Sequence, residues 1–254
     1  MKVRILPSAS GAGQQHQYLT SFLVGGTISI DAGCLGLCSA SGELAGVKHV
    51  FITHAHLDHV GTLPIFLESG RDPSAGKLRV YGPRETLDVL RTNLLNDQVW
   101  VDYAQLAEGD GACLELHPLE PEEPVVVNGL KVTAVPVDHT VPTFGYIIDD
   151  GSCAVAFGAD SGPTERIWEI ARATDRLRAA FLECSFPNAL DTLAAKTGHL
   201  TPRLWMHELS KLPPDTTTIA VHIKPRYRER VIAELEALGH VRTWIGRTDH
   251  EYVW

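Results

Sequence analysis

The 254-residue chain contains no apolar run long enough to cross a bilayer; a spanning helix needs about 20 such residues in succession. Helical membrane proteins are therefore not the expected class. Met1–Leu6 is a short, strand-like apolar piece that gives way at once to Pro, Ser and Gly. It lacks the longer apolar stretch and cleavage site of a secretory leader, so a cytoplasmic location is expected if this is the whole native chain. No low-complexity tract, long repeat or linker divides the sequence, and residues 1–254 are expected to form a single domain. Basic residues are scarce, 22 Lys and Arg against 31 Asp and Glu, for a formal net charge of −9. A nucleic-acid polymer, which is gripped by clustered Lys and Arg, is thus not the expected partner. A small phosphorylated substrate is not excluded, because bound metals can invert the local field. Five scattered cysteines (Cys34, Cys38, Cys113, Cys153 and Cys184) offer no second pair at zinc-finger spacing and no Cys₄ set. Free thiols in a reducing compartment are expected.

At 44% hydrophobic and 21% charged residues, the chain has the material for a sizeable core. Gly25-Gly26 between Leu19–Val24 and Thr27–Ile30 signals a hairpin, and Asn128-Gly129 and Asp150-Gly151 sit between apolar runs in the same way. Helical periodicity marks 84–96, 164–172, 202–212 and 226–238, with Pro163 and Pro202 suited to first turns. The Pro- and Glu-rich stretch Pro118–Pro124 reads as an exposed loop. Strands alternating with hairpins and helices in both halves predict an α/β chain, a sheet-rich core covered by helices on its outer faces.

Histidine is abundant, with twelve copies, and six apolar runs end in a residue able to bind a metal. Thr27–Ile30 leads to Asp31, Val50–Thr53 to His54, Val132–Val137 to Asp138-His139, Ala154–Ala159 to Asp160, Ala179–Leu182 to Glu183, and Thr218–Val221 to His222. Strand ends and the loops after them are where catalytic groups are usually displayed, so these six predict a common rim. The strongest signal is Thr53-His54-Ala55-His56-Leu57-Asp58-His59. Imidazole nitrogen and carboxylate oxygen suit zinc-like ions. His54 and His56, two apart at a strand end, can point at one ion. Asp58 and His59, where the chain turns into a helix expected over Val60–Leu67, can reach a second.

The HxHxDH run resembles the signature of the metallo-β-lactamase fold superfamily. His54–Gly61, Asp31-Ala32-Gly33, Val80-Tyr81-Gly82-Pro83, Glu183–Asn188, Gly198-His199-Leu200-Thr201-Pro202 and His222-Ile223-Lys224-Pro225 further resemble, in order, class II cyclic-nucleotide phosphodiesterases. Thr62-Leu63-Pro64 departs from that subgroup, and the chain is short for it.

The resemblance implies a four-layer αββα sandwich and two divalent ions, zinc by default, with manganese or iron suited to the same ligands. It implies that His139 joins His54 and His56 on one ion, that His222 joins Asp58 and His59 on the other, and that Asp160 bridges them. Asp31 would brace the motif loop. Asp58 would orient the attacking water. A likeness to the Gly-His-Ser/Thr segment of ribonuclease Z implies that His199 protonates the leaving oxygen. The residues alone also allow ordinary readings: a strand-capping His139, a turn aspartate at 160, a core His222, a surface His199. His16, His49, His117, His207, His240 and His250 are read as ordinary. Lys224 and Arg226 are candidates for holding a phosphate, and Phe186, Asn188 and Tyr103 for the pocket rim.

The expected activity is hydrolysis of 3′,5′-cyclic nucleotides, cyclic AMP first, to 5′-monophosphates by metal-activated hydroxide. The alternatives are a ribonuclease Z-like or other hydrolase of a different phosphodiester or a thioester, and a non-catalytic metal-binding module. A homodimer is left open.

Overall fold

In the computed structural model, which describes residues 1–38, 42, 44–70, 76–105 and 114–254, the chain builds two sheets of seven strands each. The first sheet runs, edge to edge, β14 (Glu251–Val253), β1 (Lys2–Ile5), β2 (Phe22–Val24), β3 (Ile28–Ile30), β4 (His49–Phe51), β5 (Leu78–Gly82) and β6 (Leu114–Pro118). The second runs β13 (Thr243–Ile245), β12 (Thr217–Val221), β11 (Leu177–Glu183), β10 (Ala154–Phe157), β9 (Phe144–Asp149), β8 (Leu130–Pro136) and β7 (Val125–Val127). The three hairpins signalled by Gly25-Gly26, Asn128-Gly129 and Asp150-Gly151 all form. Strands β3 to β6 pair in parallel, as do β10 to β13. Cys113 lies outside the described residues.

The layers follow from the period-two alternation of strand side chains. In β11, Ala179 and Phe181 enter the apolar layer between the sheets, whereas Ala180 and Leu182 enter the layer outside them. In β4 and its continuation, Phe51 faces inward while Val50 and Ile52 face outward. The outer face of the first sheet is covered by α1 (Leu57–Val60), α2 (Leu63–Ile65) and α3 (Arg84–Val89), that of the second by α4 (Arg166–Arg172), α6 (Pro202–Leu209) and α7 (Arg228–Ala237). A further helix, α5 (Asp191–Thr197), precedes Gly198. Three apolar layers between four layers of structure make the αββα sandwich. Among the described residues, no helix is long and apolar enough to cross a membrane.

The helix expected over Val60–Leu67 is instead a single α turn, a break at Gly61-Thr62, the short α2 and a π turn over Phe66–Gly70. Tertiary pairing accounts for the break. The carbonyl oxygens of Asp58 and His59 accept from the N–H groups of Thr20 and Ala32, both at 2.7 Å, and Thr62 N–H donates to Ala32 O. Those carbonyls are thereby committed to the loop after β3, and Pro64 has no N–H to continue a regular ladder.

The two sheets are tied at one rim. Tyr146 Oη, on β9, donates to the Ile52 carbonyl oxygen at 2.6 Å, and Phe144 N–H donates to Thr53 O at 3.0 Å. This is the end of the sandwich on which His54 emerges.

Candidate metal centre

All six strand ends identified in the sequence meet at this rim. At three of them the chain turns through a left-handed residue other than glycine: Asp31 (φ 60°), Ala159 (φ 54°) and His222 (φ 52°). Such conformations cost about 1–3 kcal/mol each and collect at functional sites. Here they swing the chain off the strand direction, and the side chains of Asp31, Asp160 and His222 all arrive in the same cluster.

Two donor groups result, each with ligand atoms within 4.8 Å of one another: His54, His56 and His139, and Asp58, His59, Asp160 and His222. Asp160 also falls within the same span of His139 and His199. His54 Nε2 and His139 Nε2 approach His56 Nδ1 to 2.9 and 3.3 Å. His222 Nε2 lies 3.1 Å from Asp58 Oδ2, and its Nδ1 lies 3.3 Å from Asp160 Oδ1.

The surrounding groups fix which nitrogen of each ring is available. His139 Nδ1 donates to Gly198 O at 2.9 Å, leaving Nε2 with its lone pair. His59 Nδ1 donates to Asp31 Oδ2 at 2.7 Å. Asp31 in turn accepts from Thr53 N–H at 2.7 Å and from the Thr53 hydroxyl, the contacts of a brace. Outer carboxylates and carbonyls of this kind orient metal-binding imidazoles and raise their basicity. His222 is anchored through its backbone as well, its N–H donating to Gln17 Oε1 at 2.9 Å. Gly33 sits where the braced loop crosses the motif; a Cβ there would overlap the Asp58 carbonyl.

The residues fit divalent cations. Burial pushes His54 well below the ordinary imidazole range and lowers His56 and His139, which favours the neutral form that a cation needs. Asp160 is held well below the usual carboxylate range: burial opposes its charge, but His222 and His59 outweigh it. His59 Nε2 is fully buried without a hydrogen-bond partner and faces Asp160 Oδ2 at 3.4 Å. A buried nitrogen left unpaired is costly in a protein interior, and a cation beside it would use its lone pair.

His199 lies at the edge of the cluster. Its Nδ1 is 2.7 Å from Glu183 Oε1, and the Glu183 carboxylate also accepts from Leu200 N–H and Ser185 N–H. Burial works against a charge on His199, but Glu183 outweighs it and raises the imidazole above its ordinary range. Glu183 was visible in the sequence as a strand end, but its pairing with His199 was not. Lys224 Nζ stands 3.6 Å from Asp58 Oδ2. Phe186 packs on the His199 ring at 5.6 Å. Asn188 is occupied elsewhere, accepting from Arg203 N–H and donating its own N–H to Glu234. Tyr103 packs on the outer apolar layer of the first sheet.

A model of the beta-lactamase superfamily domain matches residues 36–223, well over half of the chain. The chain belongs to this family. Within it, a Yersinia pestis protein named as a probable 3′,5′-cyclic-nucleotide phosphodiesterase is 27% identical over 223 residues, covering 75% of this chain and 62% of that protein. The 3′,5′-cyclic-nucleotide phosphodiesterase of Aliivibrio fischeri is 29% identical over 184 residues, covering 65% and 53%. The chain thus spans little more than half the length of these curated relatives. The crystal structure of unliganded yeast PDE1 superposes with a TM-score of 0.76 at 19% identity, covering 98% of both chains. At that identity the likeness speaks for the fold, which is the metallo-β-lactamase sandwich. The superfamily motif His54–His59 lies inside the matched region, and so do His139, Asp160, His199 and His222.

Proposed function

We propose that the chain is, as one domain over 1–254, a dinuclear-metal phosphodiesterase that hydrolyses 3′,5′-cyclic nucleotides, cyclic AMP first, to 5′-monophosphates. The observation that carries this reading is the pair of adjoining donor groups with Asp160 in reach of both, flanked by the His199 imidazole in hydrogen-bond contact with Glu183. In this reading His54, His56 and His139 hold one ion, Asp58, His59 and His222 hold the other, and Asp160 is shared. Zinc is the default from the ligand types, with manganese or iron suited to the same set. The names of the Yersinia and Aliivibrio relatives support the choice of substrate.

A divalent metal pair, when bound, would polarise the phosphoryl oxygens and make water a better nucleophile. The protein groups do the rest. Asp58, drawn well below the usual carboxylate range by its hydrogen bond to His222 despite burial, accepts a hydrogen bond from the attacking water and orients it. His199 Nε2, its partner nitrogen engaged by Glu183, delivers a proton to the departing 3′ oxygen of the ribose. Glu183 holds the ring in place and stabilises its charged form. The substrate is a small phosphoester rather than a polymer, in keeping with the acidic chain.

Purified, metal-analysed protein incubated with cyclic nucleotides, a nitrophenyl phosphodiester and a thioester tests this. The expected result is 5′-monophosphate on chromatography. Turnover of the generic diester or thioester without any 5′-monophosphate would assign the site to a ribonuclease Z-like or other hydrolase of this fold.

A further inference from the structure

The loop that carries Asp160 leaves β10 at Gly158 and runs past Thr164 into α4. One side of it fits against the rest of the centre. Gly162 N–H donates to Asp138 O at 2.7 Å, and a Cβ at Gly162 would come within 4 Å of both Asp138 and Gly198, the residues that precede His139 and His199. The other side is held by a buried ion pair from the far end of α6, the helix that starts just beyond His199.

Glu208 is completely buried and Lys211 is 8% exposed. Glu208 Oε1 accepts from Lys211 Nζ at 2.7 Å. Glu208 Oε2 accepts from Trp168 Nε1 at 2.7 Å and from Thr164 N–H at 3.2 Å. Lys211 Nζ also donates to Thr164 O at 2.8 Å and pairs with Glu165 Oε1 at 2.7 Å. Its three protons therefore have three acceptors, and both backbone groups of Thr164 are taken by one ion pair. The same pair reaches the opposite end of the loop through the Trp168 indole. With its Nε1 on Glu208, that ring lies against Gly158, where a Cβ would meet Trp168 Cη2 at 3.4 Å. Two residues before Asp160 and four residues after it, the chain is located by contacts that converge on Glu208.

Stability alone does not call for this arrangement. Desolvating a carboxylate and an ammonium consumes much of what their pairing returns, and apolar side chains of similar volume often serve as well. What the ions add is direction: an N–H, a carbonyl and an indole are each held along a fixed line. Asp160 follows Ala159, whose left-handed conformation (φ 54°) persists only where the surroundings enforce it.

We propose that Glu208 and Lys211 are positioning residues for the metal centre. By clamping Thr164 directly and Gly158 through Trp168, they hold Asp160 where it reaches both donor groups. This rests on the reading of the cluster as a two-ion site.

Zinc affinity, read by competition with a chelator of known affinity, and the melting temperature of the metal-free protein together tell positioning from support. Glu208→Leu/Lys211→Met replaces the ion pair with apolar side chains. It should melt close to wild type yet bind both zinc ions about tenfold more weakly, the lower end of what outer partners of metal ligands are worth. Both ions should weaken because Asp160 serves both. Glu208→Gln, which keeps the shape and removes the charge, should shift both affinities in the same direction. Lys211→Arg, which keeps the cation, should retain most of the affinity. The clamp is refuted if the double variant binds zinc as wild type does, if only one ion is weakened, or if affinity falls only in variants whose melting temperature falls with it. If the double variant does not fold, Glu208→Gln decides by the same two readouts. Wild-type protein that takes up fewer than two ions overturns the two-ion reading and the clamp with it; variants that match a two-ion wild type overturn the clamp alone.

Discussion

Asp31 and His59, far apart in sequence, are joined at 2.7 Å in a fully buried contact between a strand end and the HxHxDH motif. Since His59 Nδ1–H donates to Asp31 Oδ2, His59 can offer only Nε2 to the cluster. Asp31→Ala should lower metal affinity about 10–100-fold, the usual cost of losing such a partner. Competition with a chelator of known affinity measures it. Wild-type affinity in that variant would mean that His59 is oriented by something else.

Asp160→Ala should empty both groups, because it removes the one residue proposed to touch both ions. Elemental analysis reads this directly. Retention of one ion per chain would reduce Asp160 to a ligand of a single site.

His199→Ala should lower nucleotide turnover by about 10²–10⁴-fold, the ordinary worth of general acid help, with metal content unchanged. Glu183→Gln should do the same more mildly and shift the acid limb of the pH–rate profile, since the raised imidazole depends on that carboxylate. A nitrophenyl diester, whose leaving group needs no proton, should be hurt far less. Equal losses on both substrates would argue against proton donation.

Gly33→Ala has no room: the new methyl would overlap the Asp58 carbonyl and crowd Thr20 N at 2.7 Å. The motif loop must move, and overpacking of this kind costs about 1–3 kcal/mol or more. A lowered melting temperature together with weakened metal binding is expected. Loss of stability alone would separate the loop from the site.

Asp150 gives the acid response an assignable component. Burial works against its charge, but hydrogen bonds from Ser152 and Cys153 hold its carboxyl at about 2, below the ordinary 3.8. A depressed carboxyl stabilises the fold above its unfolded value, and that contribution is lost as the pH falls through the folded value. Asp150→Asn should therefore flatten stability between about pH 4 and pH 2, measured by denaturant unfolding. An unchanged slope in that window would remove Asp150 from the account.

Much of the fold could be read in advance because its punctuation is local. Gly-Gly, Asn-Gly and Asp-Gly turns fix hairpins whatever surrounds them, and strand alternation fixes which side chains face between the sheets. The rim was legible because several strands ended in metal-competent residues. What escaped was set by distant chain. The break after Val60 comes from Thr20 and Ala32 taking the carbonyls of Asp58 and His59, a pairing that no window around the motif contains. Gln17 beneath His222 and Glu183 behind His199 are ordinary polar residues until topology brings them together. Tyr103 shows the reverse error: an aromatic guessed for the rim on residue type alone packs on the far side of the first sheet.

The tie between Tyr146 and Ile52 has a consequence for biosynthesis. The motif histidines precede both partners in the chain: their strand cannot be sutured to the second sheet until β9 has been made, and His222 follows only after β12. Until then, His54, His56 and His59 are not yet joined by His139 and His222. A metal captured then would be held by a few flexible ligands and exchanged readily, so final loading belongs to the completed fold. Nascent chains stalled before residue 222 should bind the ion weakly and release it to mild chelators.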